Sequence, residues 1–517
     1  MRSNRSRART ALVGAVLCIA ALAAGARPAR ADGNLSNLKH IVIAMQENHS
    51  FDNYFGAIAF VPGSPYHSAR GSGERRACAA DDHTCVDGLS CKITPAGLLN
   101  CSNANPSNTR GLVKAFHDPR YCTGPDLDHG WIGSHHEGNF TRPNQMLRSS
   151  LNRGFVRVNA ESELPEQATL HDTMGYYTDA DLPFYYGLAE TFAISDRYFA
   201  AVVGPTFPNR SYFQAATSFG HLTTNEIITG GGYKPITGTI FDRMDAAGVT
   251  WTDYFTDLPY TAIFTTSPGH TKPVAMFATD AAAGTLPDVA FIDPSIGVSQ
   301  TINGAVFETD EHPPSDVRAG EYFLSTVINA LRTSTSWNDS VLFITYDEHG
   351  GFYDHVAPPM ADQGGLPTPD GINPGQCADN SNPPGSTHPG GGVNCRTSAN
   401  SDAIGLCSFF TPTGPFPENC ATFNQLGFRL PFLAVSPFAK PHYVSHVVGS
   451  HTSFLALIEK RFSLPSLTAR DAHASTLEDM FDFDTSPSLT SPVGTAPLPA
   501  QPGDPGCPFP DGGNGQD

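Results

Sequence analysis

The chain has 517 residues, with 50 Asp and Glu against 31 Lys and Arg, and its formal net charge is −19. Hydrophobic residues make up 40% of it, which is enough for a sizeable core and excludes a wholly disordered chain. The acidic balance excludes a nucleic-acid backbone as the partner, because phosphate contacts need clustered Lys and Arg. The 49 Gly and 43 Pro residues predict many ordered loops on a scaffold.

The first 31 residues have the pattern of a secretory signal peptide. Four arginines within the first nine residues precede an apolar stretch over residues 11–25, and Ala29, Arg30 and Ala31 form a small-x-small cleavage pattern. A membrane anchor is the weaker interpretation, because the apolar run is short for a bilayer span. We therefore expect a secreted or periplasmic protein after cleavage near Ala31.

Ten cysteines remain after this segment, in two groups of five. The groups are Cys78, Cys85, Cys91, Cys101 and Cys122, and Cys377, Cys395, Cys407, Cys420 and Cys507. Their spacing matches no CxxC zinc pattern, so disulfides in an oxidising compartment are the better interpretation. If all ten are paired, an odd number of bridges joins the two groups; the alternative is one free thiol in each group.

Short apolar runs alternate with amphipathic runs along the rest of the chain. The predicted strands cover residues 38–45, 198–203, 249–254, 288–292, 340–346 and 430–435. The predicted helices cover residues 211–217, 240–247, 321–333 and 452–462. This alternation predicts a doubly wound α/β fold with a mostly parallel sheet and helices on both faces.

Two regions interrupt the alternation, residues 60–125 and 358–427, which are rich in Cys, Gly, Pro and Asn. We expect both to be disulfide-stapled insertions over the carboxyl edge of the sheet, since long loops in a compact protein are commonly functional. The Pro/Gly-rich residues 486–517 are expected to form a tail outside the domain.

Acidic and amide side chains follow two of the predicted strands. Glu47 and Asn48 come after the first strand, and Asp347 and Glu348 come after the strand over 340–346. Ligands bind at the carboxyl ends of strands in open α/β sheets, and three carboxylates gathered there favour a divalent cation with oxygen ligands. From the spacing alone, two unrelated acidic strand ends facing solvent remain the alternative.

Thr206 lies between a Gly-Pro break and a predicted helix, where backbone N–H groups can hold an anion. A hydroxyl in this position beside a metal can attack phosphorus. Asn209 and Arg210 follow closely and can donate hydrogen bonds to phosphate oxygens. The alternative is that Thr206 only caps the helix, which is the commoner role for such a threonine.

Three histidines, His129, His312 and His355, lie in Pro-, Gly- and acid-rich loops and not in apolar periodic runs. Histidine is suited to donate a proton to a leaving alkoxide near neutral pH. The GxSxG, HExxH, Walker A and GxGxxG patterns are missing, which removes the commonest hydrolase, metalloprotease and nucleotide-binding alternatives.

Five blocks, in order, resemble those of the bacterial phospholipase C and acid phosphatase phosphoesterases, relatives of alkaline phosphatase. The blocks are HIVIAMQENHSFDNYFG (40–56), GPTFPNR (204–210), DEHPP (310–314), DEHGGFYDHVAPP (347–359) and RLPFLAVSP (429–437). The resemblance covers roughly residues 36–465 and implies an alkaline-phosphatase-like α/β fold and hydrolysis of a phosphate ester. It defines one expected phosphoesterase domain over residues 36–480.

The same resemblance implies roles for the residues singled out above. Glu47, Asn48, Asp347 and Glu348 match the family's metal ligands, with Ca or Zn as the candidate metals. Thr206 matches the hydroxyl nucleophile, and His129, His312 and His355 match histidines at the phosphate or the leaving group. His49 departs from the family, since many phospholipase members carry Arg there, and this makes fine substrate selection harder to predict.

Two substrate classes follow. The favoured function is that of a phospholipase C acting on phospholipids, which would bring transient contact with a membrane surface. The close alternative is a broad acid phosphatase on small phosphomonoesters. A third hypothesis, of another class, is a secreted protein that binds calcium for structure and catalyses nothing.

Overall fold

An eight-stranded sheet forms the centre of the protein in the computed structural model. The structure describes residues 34–484 apart from 71–76, 108–110, 122–125, 143–144, 147–151, 162–171, 223, 225–236, 265–268, 297–299, 303–304, 314, 363, 367–368 and 372–422. The predicted signal peptide and the predicted tail therefore lie outside the described residues. No helix among the residues described is both long enough and apolar enough to cross a membrane.

The strands, in chain order, are β1 His40–Gln46, β2 His67–Ser68, β3 Cys85–Val86, β4 Cys91–Ile93, β5 Leu99–Cys101, β6 Ala104–Ser107, β7 Gly111–Lys114, β8 Phe116–His117, β9 Phe140–Arg142, β10 Gln145–Met146, β11 Gly175–Tyr176, β12 Ala193–Ser195, β13 Tyr198–Phe199, β14 Trp251–Phe255, β15 Thr271–Pro273, β16 Val289–Asp293, β17 Gln300–Ile302, β18 Ala305–Phe307, β19 Ser340–Tyr346, β20 Leu433–Val435, β21 Tyr443–Ser445 and β22 Gly449–Ser450. The helices are α1 Phe51–Phe55, α2 Trp131–Glu137, α3 Phe155–Glu161, α4 Pro183–Thr191, α5 Thr206–Ala215, α6 Ile240–Ala247, α7 Ala275–Ala283, α8 Val317–Arg332, α9 His451–Phe462 and α10 Ala469–Ala472.

The central sheet has the strand order β15-β14-β16-β1-β19-β20-β12-β21. Only β20 is antiparallel to its neighbours in this sheet. β1 and β19 lie in the middle and are buried almost throughout, which explains why both are nearly continuous apolar runs. They pair in register from His40 opposite Ser340 to Gln46 opposite Tyr346, so the two strands end at the same level.

One face of the sheet is covered by α5 and α9. Phe291 of β16 and Phe343 of β19 both lie beside Ile43 of β1 in register, so the three side chains share a face. The ring of Phe213 in α5 lies 5.7 Å from that of Phe291, and the ring of Phe454 in α9 lies 5.3 Å from that of Phe343.

The opposite face is covered by α7. Ile292 follows Phe291 and therefore points the other way, as does Tyr254 beside it in β14. The ring of Phe277 in α7 lies 5.3 Å from that of Tyr254. The predicted doubly wound, mostly parallel α/β fold with helices on both faces is confirmed.

The predicted strand over 198–203 is wrong beyond Phe199. Only Tyr198 and Phe199 form a strand, which pairs with β22 outside the central sheet. The following residues are buried without being part of the sheet, because their backbone binds another loop: Ala200 donates to Phe428 O at 3.0 Å. The helix after this segment begins at Thr206, five residues earlier than predicted.

The region predicted as the first insertion, residues 60–125, contains short two-stranded sheets and two disulfides, Cys78–Cys85 and Cys91–Cys101. Both bridges lie within the first cysteine group. Cys122 and the whole second group lie outside the described residues, as does most of the predicted insertion over 358–427. A bridge between the groups therefore stays a prediction.

Candidate active site

The four residues that follow β1 and β19 lie together and are buried. The backbone N–H of Asp347 donates to the carbonyl of Gln46 at 3.1 Å. The Oδ1 atom of Asp347 accepts from the backbone N–H of Glu348 at 2.7 Å and of Asn48 at 3.3 Å. The level ends of the two strands thus bring Glu47, Asn48, Asp347 and Glu348 to one place, as the sequence predicted.

The backbone around Asn48 leaves no room for a side chain at position 350. Asn48 has a φ of 65°, in the left-handed region that Asn tolerates better than most residues. Gly350 also has a positive φ of 61°, and a Cβ added there would lie 2.2 Å from the carbonyl oxygen of Asn48. Glycine is therefore required for the loop after β19 to pack on the loop after β1.

Arg210 joins the two strand ends. Its Nη2 donates to Glu47 Oε1 at 3.0 Å, and its Nε donates to Asp347 Oδ2 at 3.1 Å. The guanidinium lies 3.4 Å from the centroid of the Tyr260 ring, and the Tyr260 hydroxyl also donates to Glu47. The predicted phosphate-binding arginine thus holds two predicted metal ligands in this structure, and its phosphate role stays a prediction.

Several buried oxygens at this place have no hydrogen-bond partner within the described residues. They are Asn48 Oδ1, Glu348 Oε1 and Asp310 Oδ2. Buried polar atoms are normally satisfied, and a hard cation binds carboxylate and amide oxygens. These orphaned oxygens belong to or adjoin the predicted ligand set, so the residues present fit a divalent cation.

The pKa values of the acids at the strand ends are shifted in opposite directions. Burial raises the pKa of Asp347, and Arg210 opposes that rise. Burial also acts to raise the pKa of Glu348, but His129 and His349 outweigh it and lower the pKa. Burial together with the Glu47 carboxylate raises the pKa of Asp310 well above its ordinary value. A cation bound here would relieve the repulsion among these acids.

Thr206 is the first residue of α5, and the N-cap position belongs to Pro205. The cap interpretation of Thr206 is therefore wrong. Thr206 is buried and lies one helical turn before Arg210, so the two side chains share a helix face. Thr206 thus lies on the same side of α5 as the arginine that bonds the two strand-end carboxylates.

Asn209 shapes the turn that precedes this helix. Its Oδ1 accepts from the backbone N–H of Val202 at 3.0 Å, and its Nδ2 donates to the carbonyls of Gly204 at 2.8 Å and Pro205 at 3.1 Å. The predicted contact of Asn209 with phosphate stays a prediction, and the contacts seen hold the Gly-Pro turn.

His129 and His312 lie next to this set and close to each other, with ring centroids 5.8 Å apart. The Nδ1 of His129 donates to Leu127 O at 2.7 Å, and Nε2 faces Asn48 Nδ2 at 3.5 Å and Glu348 Oε1 at 3.9 Å. With Asp126 the two histidines form a group whose potential ligand atoms lie within 4.8 Å of one another.

His312 is held by its own loop. Its Nδ1 lies 2.7 Å from Pro313 O, and its backbone N–H donates to Asp310 Oδ1 at 3.1 Å. Burial lowers the pKa of His312, but the carboxylates of Asp126 and Glu47 outweigh it and raise the pKa to about 9. These two carboxylates thus favour the charged form of His312.

His355 belongs to a different set of charges. Its Nδ1 lies 2.7 Å from Asp52 Oδ2, and its Nε2 lies 3.3 Å from Asp87 Oδ1. Arg429 donates to Asp52 at 3.1 Å and to Asp354 at 2.9 Å. The structure shows His355 as part of a buried ion network, and its predicted role at the leaving group stays a prediction.

Glu311 is a buried residue of this site that the sequence did not single out. Its carboxylate accepts from the phenols of Tyr54, Tyr185 and Tyr346 and, at 3.2 Å, from Gln46 Nε2. Burial raises its pKa to about 7, against the effect of these hydrogen bonds. It lies between Asp310 and His312 and fixes that segment to the ends of β1 and β19.

Tyr260 and Asp310 were overlooked as well. Asp310 lies two residues before His312 in the DEHPP block, and an acid so near a candidate histidine is a signal that could have found it. Tyr260 follows Pro259 in a short helical turn, and nothing in the sequence distinguishes it from the other tyrosines.

The Phosphoesterase family model matches residues 38–465 of this chain. Non-specific phospholipase C6 of Arabidopsis thaliana is 30% identical over 477 residues, 89% of this chain and 75% of that protein. Phospholipase C B of Mycobacterium tuberculosis (strain ATCC 25618 / H37Rv) is 29% identical over 500 residues, 89% of this chain and 80% of that protein. The match to the solved structure of murine ectonucleotide pyrophosphatase / phosphodiesterase 5 covers 58% of this chain and 94% of that chain, at 13% identity and a TM-score of 0.31.

The family match and the relatives named phospholipase C define a hydrolase of phosphoric esters, built here on a mostly parallel α/β sheet. The chain belongs to the Phosphoesterase family. The hypothesis of a calcium-binding protein without catalysis is therefore wrong.

Proposed function

We propose that this protein is a phospholipase C that uses Thr206 as its nucleophile. The observation that supports this best is the shared helix face of Thr206 and Arg210, with Arg210 bonded to both Glu47 and Asp347. Both curated relatives described above are named phospholipase C. Export to a secreted or periplasmic location, suggested by residues 1–31, is part of the proposal.

Thr206 Oγ would attack phosphorus in line with the bond to the glycerol oxygen. The Thr206 oxygen–phosphorus bond forms as the phosphorus–glycerol oxygen bond breaks, and diacylglycerol leaves as an alkoxide. The backbone N–H groups at the start of α5 are placed to offset charge on the equatorial oxygens. Water then hydrolyses the phospho-threonine and releases the phosphorylated head group.

A divalent cation, which Glu47, Asn48, Asp347 and Glu348 would hold, would lower the pKa of the threonine hydroxyl and offset phosphoryl charge. Arg210 keeps Glu47 and Asp347 in place through its two hydrogen bonds. Asn209 holds the turn that presents Thr206.

The two histidines take different roles in this proposal. His312 lies beside His129, held by its own loop, and its imidazole suits donation of a proton to the departing alkoxide. The Nδ1 of His129 is bonded to Leu127 O, so Nε2 is the ring nitrogen left to exchange a proton with the attacking water.

The test compares Thr206→Ala and Thr206→Ser on p-nitrophenyl phosphate, its phosphocholine ester and phosphatidylcholine. Thr206→Ala should stay folded and lose turnover by about a thousandfold or more, whereas Thr206→Ser keeps a hydroxyl and retains measurable activity. Rapid acid quench with substrate labelled at phosphorus should trap label on the peptide that contains Thr206.

Thr239→Ala is the matched control, because Thr239 is a true N-cap whose side chain accepts from the N–H of Asp242. It should cost about 0.5–2 kcal/mol of stability and leave turnover unchanged. An active Thr206→Ala protein would reject the nucleophile. Hydrolysis of p-nitrophenyl phosphate alone would replace the phospholipase by the acid phosphatase.

A further inference from the structure

Two β-hairpins follow one another in the first insertion. The first consists of β4 and β5, and the second consists of β6 and β7. Their bases adjoin, because Ser102 donates to Ser90 O at 2.8 Å and Ala115 donates to Asn103 O at 2.9 Å. We call this unit, residues 91–107 and 111–114, the double hairpin.

Each hairpin exposes aliphatic side chains at the end away from its base. Ile93 and Leu98 flank the turn of the first hairpin and are 61% and 68% exposed. In the second hairpin, Leu112 belongs to the pair next to the last one of the ladder, and it is 64% exposed. They are the three most exposed of the large hydrophobic residues in the described part of the chain. Aliphatic side chains so exposed on two adjoining hairpins are typical of an interaction surface.

The charge of the double hairpin is opposite to that of the whole protein. No Asp or Glu occurs between Asp87 and Asp118, although the chain has 50 such residues and a net charge of −19. Lys92 and Lys114, two of the seven lysines of the chain, are exposed on it. Neither lysine has an ion-pair partner among the residues that the structure describes. Exposed aliphatic tips with adjacent lysines complement an anionic lipid interface.

The base of the double hairpin is firmly attached to the body of the protein. The Cys91–Cys101 disulfide closes the first hairpin. Leu89 and Ala115 at the base pack in one cluster with Tyr176, and Tyr353 packs against that cluster. Tyr353 lies six residues after Asp347, so the double hairpin rests on the segment that leads away from the candidate active site.

We infer that the double hairpin is the surface by which this protein docks on a phospholipid bilayer. Ile93, Leu98 and Leu112 enter the boundary between head groups and acyl chains, and Lys92 and Lys114 contact lipid phosphates. The inference rests on the proposed phospholipase activity and adds to it where the enzyme meets its substrate. A second copy of this chain is the other occupant that such a surface could take.

The test measures co-sedimentation with phosphatidylcholine/phosphatidylglycerol vesicles. It uses the full chain carrying Thr206→Ala, so that vesicles are not consumed and binding is scored without turnover. Adding Ile93→Ser, Leu98→Ser and Leu112→Ser should weaken vesicle binding by about tenfold or more, because three aliphatic side chains no longer enter the bilayer. Met276→Ser with Leu366→Ser, a pair exposed elsewhere, should leave it unchanged.

Lys92→Glu with Lys114→Glu should weaken binding to the anionic vesicles and leave binding to pure phosphatidylcholine vesicles nearly unchanged. With Thr206 restored, the triple serine variant should lose hydrolysis of vesicle phospholipid by about tenfold and keep hydrolysis of soluble p-nitrophenyl phosphocholine.

Unaltered vesicle binding by the triple variant would overturn the docking surface. A second result would also overturn it: light scattering shows that the wild type is a dimer, and the triple variant is a monomer that binds vesicles as well as before. If the wild type hydrolyses no phosphoester, the proposed function is overturned instead. The vesicle-binding measurement still tests the docking surface in that case.

Discussion

The phenol of Tyr346, the last residue of β19, donates a 2.6 Å hydrogen bond to the carboxylate of Glu311. Asp347 is the next residue after Tyr346, and Asp310 and His312 flank Glu311. One buried carboxylate therefore links the strand that carries a predicted metal ligand to the loop that carries a candidate proton donor.

Glu311→Gln should disturb the site as well as the fold. The amide replaces one acceptor oxygen by a donor that faces tyrosine hydroxyls, so stability should fall by about 1–3 kcal/mol and turnover should fall in the folded protein. Urea unfolding and kcat on p-nitrophenyl phosphocholine measure the two effects. Glu321→Gln is the control: Glu321 is also buried but accepts from the backbone of Phe184 and Tyr185. Equal kcat in both variants would contradict a positioning role for Glu311.

Glu47→Gln and Asp347→Asn should each lower metal content and activity together. Both carboxylates lie at the level strand ends, and an amide oxygen is a weaker ligand for a hard cation. Activity should fall by about two orders of magnitude or more, and elemental analysis after metal loading should show substoichiometric metal. Asp280→Asn is the control. Asp280 lies in α7 and pairs with Lys272, and this variant should keep full metal content and full activity. Full metal and full rate in either site variant would reject the ligand assignment.

The protein should become less stable at alkaline pH because His355 loses its proton. Burial lowers the pKa of this histidine, but Asp52 and Asp87 outweigh it and raise the pKa to about 9, above its ordinary 6.5. The charged form is thus favoured in the folded state, so its contribution is complete below about pH 6.5 and is lost as pH rises through 9. The loss should be about 1–3 kcal/mol.

Urea midpoints between pH 6 and pH 9.5 measure this loss. His355→Gln should be less stable at pH 6 and show a flatter pH dependence over that interval. Parallel pH profiles for the wild type and this variant would mean that His355 is not charged in the fold.

Cys122 should form a disulfide with a cysteine of the second group. The structure pairs Cys78 with Cys85 and Cys91 with Cys101, which leaves Cys122 as the fifth member of the first group. The second group also has five members, so full pairing requires one bridge between the groups. Peptide mapping without reduction should recover a cross-linked peptide that contains Cys122. Alkylation of Cys122 in the untreated protein would show instead that it is a free thiol.

The central strands were predictable because burial on both faces leaves a direct mark in the sequence. The strand predicted over 340–346 matches β19, and the one over 38–45 differs from β1 by two residues at the start and one at the end. The run over 198–203 looks the same but is not a strand beyond Phe199, because apolar residues report burial and not the backbone partner. Ala200 finds that partner in Phe428, far along the chain.

The strand-end acids and Thr206 were predictable for a related reason, since the end of a buried strand fixes where the next residues lie. Their partners were not. Tyr260 reaches Glu47, and three tyrosines reach Glu311, across sequence separations of more than a hundred residues in most cases. Such contacts depend on how the loops fold back over the sheet, which no local pattern in the chain records.

The close approach of Gly350 to Asn48 limits how this sequence can diverge. Any side chain at position 350 would strike the backbone of residue 48, and that backbone already has a left-handed conformation. Position 350 therefore cannot drift alone: a lineage that acquires alanine there must rebuild the loop after the first strand in the same step. Substitutions here should abolish activity in copies of the gene that still encode a folded protein.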